Sequence, residues 1–454
     1  MKITVRDLIF KIYLNSPFIL KRLFANIEGI RRDFYRKGKK KNVSDENHFR
    51  NLFSYESNFD LKRIQRLFND ASKNVEYYSF LKDLKVSTQD DFKEVPVLTK
   101  DEIRGNKDSL ISKKTHNKRE LWNGSSSGST GTPLKYYRDR NSVLASQLNN
   151  TEYYRYCGCD INSKKVRISG VKITSFNREK PPFWIYIDKY KQLQCSTYHI
   201  SKNSYREFLK QFERVGATYG TGFPSGWYAL AELMDLDNKT FEKFDAIITD
   251  SEGINDKQRK TIEKVFKCPV YSTYGLGEVG MFAVECEFGN YHIIPTHYVE
   301  VLKSNGDIAP DGEIGEIVVT DYNSSKFPYI RYATGDLGIL KNNNSCKCNM
   351  KTPYLTEIIG RVEDYVLTKD GRKITRLTQI VKPAIGIKAS QIIQNSKDNI
   401  LIKVVPAENF DPQSMELVLN NAKEFVGDMN ITWDKVESLE KMPSGKVKFV
   451  IRKI

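Results

Sequence analysis

Residues Ser126-Ser127-Gly128-Ser129-Thr130-Gly131-Thr132-Pro133 crowd hydroxyls and glycines into one short run. Glycines permit positive φ and close backbone approach, while serine and threonine hydroxyls and exposed N–H groups donate to phosphate oxygens without adding bulk. The run reads as a loop that wraps a polyphosphate; a flexible Ser/Gly linker is the alternative. It is not a P-loop, which needs Gly-x4-Gly-Lys-Ser/Thr leading into a helix. Here Pro133 follows at once, and residues 134–137 look like a strand.

Four segments downstream supply the other groups that phosphate chemistry needs. Tyr271-Ser272-Thr273-Tyr274-Gly275-Leu276-Gly277-Glu278 places an aromatic ring, able to stack on a base, near a carboxylate able to hold Mg²⁺. Tyr329-Ile330-Arg331-Tyr332-Ala333-Thr334-Gly335-Asp336 ends a strand in one carboxylate at a turn, suited to paired ribose hydroxyls. Gly360-Arg361-Val362-Glu363-Asp364 precedes Lys369-Asp370-Gly371-Arg372-Lys373, and Pro443-Ser444-Gly445-Lys446 lies close to the C-terminus. Each alone is a turn that could be structural, and the Asp370-Gly371 pair by itself reads as an ordinary hairpin. Their order and spacing are the stronger signal.

Taken together, from about residue 90 to the end, these segments resemble the adenylate-forming superfamily that includes acyl-CoA synthetases. The likeness is greatest to its phenylacetate–CoA ligase branch and the capsular polysaccharide biosynthesis relatives. The resemblance implies two half-reactions: a carboxylate attacks the α-phosphorus of ATP and pyrophosphate leaves, then CoA or another acceptor takes the acyl group. It also implies roles. Ser126, Ser129, Thr130 and Thr132 would hold the leaving phosphates, Glu278 would ligate Mg²⁺, and Lys446 would be the catalytic lysine, a point charge on a flexible stem. Tyr274 or a neighbouring backbone group would pack on adenine with Ser251-Glu252-Gly253 on the other side, Asp336 would take the ribose, and Arg361 would add a ribose or hinge contact. Glu363 matches the hinge about which a small C-terminal domain swings, although many relatives carry Asp or Lys there. Tyr198, His199, Gly222 and Phe223 are candidates to line the acid pocket, and a lone histidine such as His199 is more often simply hydrogen-bonded in place.

Seven cysteines at positions 157, 159, 195, 268, 286, 346 and 348 make an odd count that, with no signal peptide, points to a reducing cytoplasm. Cys286 and His292 flank a Gly289-Asn290 turn, and Cys346-Lys347-Cys348 sits on another loop. Three thiolates and one imidazole complete a tetrahedral, closed and therefore structural Zn²⁺ site; unrelated small buried thiols are the alternative. Comparable Cys/His placements in the capsule relatives favour zinc. Cys157 and Cys159 lie in a Tyr-rich apolar segment and read as packing.

The elements that must position these groups alternate. Strand-like runs at 165–168 and 245–249 are interleaved with helical ones at 204–215, 224–234 and 257–266, which argues an α/β architecture. The chain is too long for one ordinary core. The expected plan is a helical N-terminal region (1–95), a large nucleotide- and acid-binding domain of mixed sheets and helices (96–360), and a small mobile α+β C-terminal domain (361–454) carrying Lys446. A net charge of +16 needs its own account. No zinc-finger, helix-turn-helix or RNA-binding aromatic signature appears, so nucleic acid is not the expected partner. Polar residues interrupt the apolar segment at 8–24 well short of a membrane span. With the basic run at 31–41 it reads either as an interfacial helix resting peripherally on anionic lipid at the inner membrane face, or, favoured here, as a helix packed on the large domain beside a solvated charge run. The leading expectation is an adenylating enzyme using ATP and Mg²⁺, with CoA, a carrier thiol or a sugar as acceptor. The alternative is a catalytically degenerate nucleotide- or glycan-binding assembly partner in polysaccharide synthesis.

Overall fold

The computed structural model describes residues 13–14, 16–37, 59–125, 134–175, 178–342, 345–359, 365–374, 377–381, 384, 386–407, 410–440 and 449–454. Strands β1 (Trp122–Ser125) and β2 (Lys135–Arg138) pair antiparallel, with Ser125 opposite Lys135, so the two ends of the intervening hydroxyl-rich run are held side by side. The run itself lies outside the described residues.

One half of the large sheet is parallel. β3 (Lys164–Ser169) lies between β5 (Gln192–Ser196) and β6 (Ala217–Gly222), β7 (Ile247–Thr249) follows β6, and β8 (Val270–Leu276) follows β7, all in one direction. β4 (Trp184–Ile187) closes this edge antiparallel to β5. Such strands are buried on both faces and read as near-continuous apolar runs; Val166, Ile168, Leu193, Cys195, Ile247 and Val270 are all buried. The connecting helices are locally specified. Helix Tyr205–Val215 buries Tyr205, Phe208 and Phe212 at helical spacing and stops at left-handed Gly216, whose N–H donates to the Phe212 and Glu213 carbonyls. Helix Pro224–Leu236 opens on a proline in its first turn. Helix Asp256–Phe266 opens on a reciprocal Asn255/Gln258 capping box.

The other half is antiparallel. β9 (Gly280–Glu285), β10 (Tyr291–Ile293), β11 (His297–Leu302), β12 (Ile314–Asp321), β13 (Tyr332–Lys341) and β14 (Tyr354–Ile359) extend the sheet from β8 in the spatial order β9-β10-β14-β13-β12-β11. Ile64, Leu67 and Phe68 of helix Leu61–Asn74 share one apolar core with Val299, Val319, Tyr329 and Tyr332, so the segment from this helix to residue 98 is built into this half.

A separate α+β unit follows. β17 (Ile387–Gln394), β18 (Asn399–Pro406), β19 (Asn430–Lys435) and β20 (Val450–Arg452) form a sheet in the order β19-β18-β17-β20, backed by helix Ser414–Val426 around Ile392, Ile402, Val418 and Phe425. Just before it, β15 (Val366–Leu367) and β16 (Lys373–Ile374) form a hairpin whose turn holds Gly371 at φ +80°. The sequence expectation of an α/β chain with a small α+β C-terminal domain is met. No helix among the described residues is long and apolar enough to cross a membrane.

Gly222 closes β6 at φ +116°, where an added Cβ would lie 2.0 Å from the Ile168 carbonyl oxygen of β3. Both the backbone conformation and the contact exclude a side chain. Gly222→Ala is expected to lower stability by about 2 kcal/mol or more, read as a shift in the urea midpoint. An unchanged midpoint would contradict this strand geometry.

Candidate active site and metal centre

Ligands of open α/β sheets collect outside the carboxyl ends of the strands. Here the ends of β5, β3, β6, β7 and β8 lie side by side. They deliver in turn Tyr198 and His199, Ser169 and Gly170, Gly222 and Phe223, Asp250 to Gly253, and Tyr274. Phe223 is buried, and its N–H donates to the Ile168 carbonyl at 2.9 Å. The turn after β7 is clamped by two parallel hydrogen bonds from Arg167 to Asp250, at 2.6 and 2.8 Å. Beyond this clamp Ser251 takes φ +70° and donates to Asp250 Oδ1. The Glu252 carboxylate accepts the Ser225 N–H at 3.2 Å, an anion at the positive end of helix Pro224–Leu236. With Glu252 so engaged, Ser251 and Gly253 are the exposed members of this edge.

β8 carries the half-buried Tyr274, whose hydroxyl donates to Asp336 Oδ2 at 2.9 Å and whose ring meets Phe282 edge-on with centroids 4.7 Å apart. Asp336 is oriented from below, because its own N–H donates to Thr334 Oγ1 and Lys100 Nζ donates to the Thr334 carbonyl. Glu278 sits in the turn between β8 and β9, almost wholly buried, and its Oε1 accepts the Tyr332 hydroxyl at 3.2 Å. Tyr332 and Asp336 share β13, so one strand holds both carboxylate groups in register.

Glu278 also adjoins the β1–β2 hairpin. A Cβ on Gly277 would meet the Tyr136 hydroxyl of β2 at 2.2 Å, so only glycine lets these segments pack this closely. Burial, helped by Glu278, pushes the Tyr136 hydroxyl up to about 12. Next to it the buried Arg138 guanidinium donates to Ser142, Ser146 and the Val279 carbonyl, and faces Asp321 and Glu278. Burial lowers the Arg138 pKa, with Asp321 as the main opposing charge. The base of the hydroxyl-rich run and the Glu278 carboxylate are thereby tied to one network.

The sequence pointed to Glu278, Tyr274, Asp336 and residues 251–253; the fold sets residues 251–253 and Tyr274 beside Gly222 and Phe223 along the crevice defined by the ends of β6, β7 and β8, with Asp336 bonded to Tyr274 and Glu278 in the turn that follows. Ser126, Ser129, Thr130, Thr132, Arg361, Glu363 and Lys446 lie outside the described residues. Tyr198 and His199 stand at the far side of the crevice. The His199 ring stacks on Phe183, with Ser196 Oγ and the Ser175 carbonyl at its two nitrogens, and burial lowers its pKa to about 4. It is a neutral ring held in place. Tyr198 meets Phe425 of the C-terminal unit edge-on, and Arg372 donates to its carbonyl at 3.4 Å. Tyr332, Arg138 and Arg167 were not singled out from sequence. Tyr332 stood inside a quoted motif, whereas nothing local marks either arginine.

About the β9–β10 hairpin, Cys286, His292, Cys346 and Cys348 place their ligand atoms all within 4.8 Å of one another. The Cys286 and Cys346 sulfurs are 3.7 Å apart, against about 3.8 Å for the edge of a tetrahedron with Zn–S bonds of ~2.3 Å. Cys348 Sγ is 3.1 Å from His292 Nε2. His292 Nδ1 lies 3.0 Å from the Thr352 carbonyl, a contact that directs Nε2 towards a metal. Soft donors, four of them, with no open position, fit a structural Zn²⁺ ion. Cys157 and Cys159 are buried in the same apolar cluster as Cys286 but are not part of the group of converging ligand atoms.

The CapK C-terminal domain family matches residues 366–453. Protein CapK of Staphylococcus aureus is 27% identical over 98% of this chain and 99% of its own length. A phenylacetate–coenzyme A ligase of Thermus thermophilus is 30% identical over 117 residues, 24% of this chain and 26% of that protein. In fold, the chain is similar to a 2-hydroxyisobutyryl-CoA ligase solved with 2-HIB-AMP and CoA, with a TM-score of 0.59, 16% identity, and coverage of 87% of this chain and 89% of that one.

Metal analysis of protein purified without added metal is expected to give about one Zn per chain, and Cys348→Ser to lose it together with thermal stability. Metal-free protein with an unaltered melting curve would reduce the four residues to packing.

Proposed function

We propose that this chain, a member of the adenylate-forming superfamily with capsule-biosynthesis relatives, activates a carboxylic acid as its acyl-adenylate. The acyl group then passes to CoA or another acceptor, in the cytoplasm and in the service of surface polysaccharide synthesis. One observation carries the reading: Glu278, Asp336 and Tyr274 converge at the carboxyl ends of parallel strands, against the hairpin whose open end is the hydroxyl-rich run.

In the first half-reaction a carboxylate oxygen forms a bond to the α-phosphorus and the bond to the pyrophosphate oxygen breaks. Negative charge grows on phosphate oxygens, so the protein's task is to present donors and cations already in place. Ser126, Ser129, Thr130 and Thr132 donate to the departing phosphates. Lys446 bridges the attacking carboxylate and the α-phosphate. Asp336, already turned by Tyr274 and its own N–H, accepts the ribose hydroxyls, and Ser251 and Gly253 border the base. The Glu278 carboxylate, fixed by Tyr332, is a hard oxygen donor and fits Mg²⁺, which when bound neutralises phosphate charge. Gly222 and Phe223 line the acid end.

The second half-reaction needs the C-terminal unit to reorient about Glu363 and bring the hairpin at Gly371 to the crevice. In the arrangement described here that unit is docked through Tyr198–Phe425, Arg372 and a Lys172–Glu424 ion pair. A thiol acceptor is supported by the coenzyme A ligases among the sequence and fold relatives. A polysaccharide role is supported by the end-to-end match to the capsule protein.

Lys446→Ala should reduce acid-dependent pyrophosphate release on the order of 10²–10³-fold while calorimetric ATP binding persists. Asp336→Ala should instead weaken ATP binding by roughly tenfold. Unchanged release in the lysine variant would remove its assigned role.

A further inference from the structure

Helix α1 (Phe18–Lys37) packs on the protein by its polar side. It lies along β4, the terminal strand of the large sheet. There Asn26 Nδ2 donates to the Tyr186 carbonyl and Asn26 Oδ1 accepts the Asp188 N–H at 2.8 Å, so the side chain caps an open sheet edge. Arg22 pairs with Asp188, buried Lys21 donates to Thr174 Oγ1, and the Tyr190 hydroxyl donates to the Gly29 carbonyl. A Cβ at Gly29 would touch Ile187 at 3.0 Å, so glycine permits this close approach.

The apolar side of the same helix points away from the protein. Ile19, Leu20, Leu23, Phe24, Ile27 and Ile30 are 42–80% exposed, and they account for six of the eleven large apolar residues exposed among those described. At 3.6 residues per turn they fall on one continuous arc of roughly 140°. An isolated exposed leucine needs no explanation, but a contiguous stripe of this kind does. Directly after it, residues 31–41 carry seven Lys or Arg against one Asp, in a chain of net charge +16. That charge selects the occupant. A second copy docking symmetrically would bring two such basic runs together, whereas a bilayer of anionic lipid offers acyl chains to the stripe and phosphates to the cations.

We propose that α1 seats this protein on an anionic phospholipid surface, with the Ile19 to Ile30 stripe at the headgroup–acyl boundary and the positive charge that follows it in the sequence favouring anionic over neutral lipid. The inference stands independently of the adenylation chemistry, because none of these residues lies at the crevice.

The test is flotation of the full chain with vesicles of phosphatidylcholine containing phosphatidylglycerol, and with phosphatidylcholine alone. Wild type should float with the first and far less with the second. The Leu23→Asp/Ile27→Asp double variant should lose ~tenfold or more of the binding with its melting temperature unchanged, since the stripe is exposed. Arg31→Glu/Lys37→Glu should weaken binding most at low salt. Failure of wild type to float, or equal flotation by the stripe variant, would overturn the proposal. So would a lowered melting temperature in that variant, which would mean the chain covers the stripe itself. A dimer dissolved by the variant, without lipid binding, would assign the stripe to a second copy.

Discussion

The site depends on the two-sided pairing of one strand. Val270–Leu276 hydrogen-bonds a parallel partner, β7, along one edge and an antiparallel partner, β9, along the other. A strand in that position welds the two halves of the sheet together. Its carboxyl end shares the crevice with the parallel-strand loops, and the chain must then reverse tightly, through Glu278, to form β9. The register shift between Tyr274 and Gly275, and the backbone contact a Cβ on Gly275 would make with Gly280 and Met281, show how little room the reversal leaves. The turn leads from Tyr274 to Glu278 within five residues, and β13 answers them with Asp336 and Tyr332.

Electrostatics gives the crevice its order. Carboxylates are costly to bury unless hydrogen-bonded, and Glu278 and Asp336 are both buried. Here each has a tyrosine hydroxyl, and the turn carboxylate of Asp250 has Arg167. Such pairing fixes the direction of each carboxylate. The buried Glu300–Arg331 pair belongs to a different task. Arg331 stands at φ +49°, bonds both Glu300 oxygens and the carbonyls of Lys93 and Val95, and thereby locks the segment before residue 98 onto β11 and β13. Burial pushes the Glu300 carboxyl up to about 7 even against that partner.

Much of this was legible in the sequence, for a physical reason. Turns that approach ligands need glycine, and groups that bind sugar or metal need carboxylates, so Gly277-Glu278 and Thr334-Gly335-Asp336 announce themselves by type and spacing. The Cys-x-Cys pair and the Cys286/His292 turn were readable in the same way, since thiols and imidazole within a few residues are distinctive. Arg138 and Arg167 were not readable: a half-buried arginine is recognised by the carboxylates it faces, and those lie far away in the chain. The helix at 18–37 is the instructive case. The apolar segment at 8–24 and the basic run at 31–41 were plain, yet which side of the helix faces the protein depends on Asn26, Arg22 and Gly29 finding partners on an open strand edge, and composition carries no information about that.

The central claim is that the crevice makes an acyl-adenylate. The most direct measurement is ATP–pyrophosphate exchange by the full chain with Mg²⁺, across aryl, aliphatic, hydroxy and amino acids. The account predicts exchange that requires both ATP and one class of acid, because only a reversibly formed acyl-adenylate returns labelled pyrophosphate to ATP. ATP binding with no exchange for any acid would contradict it, and would leave the assembly-partner reading in its place.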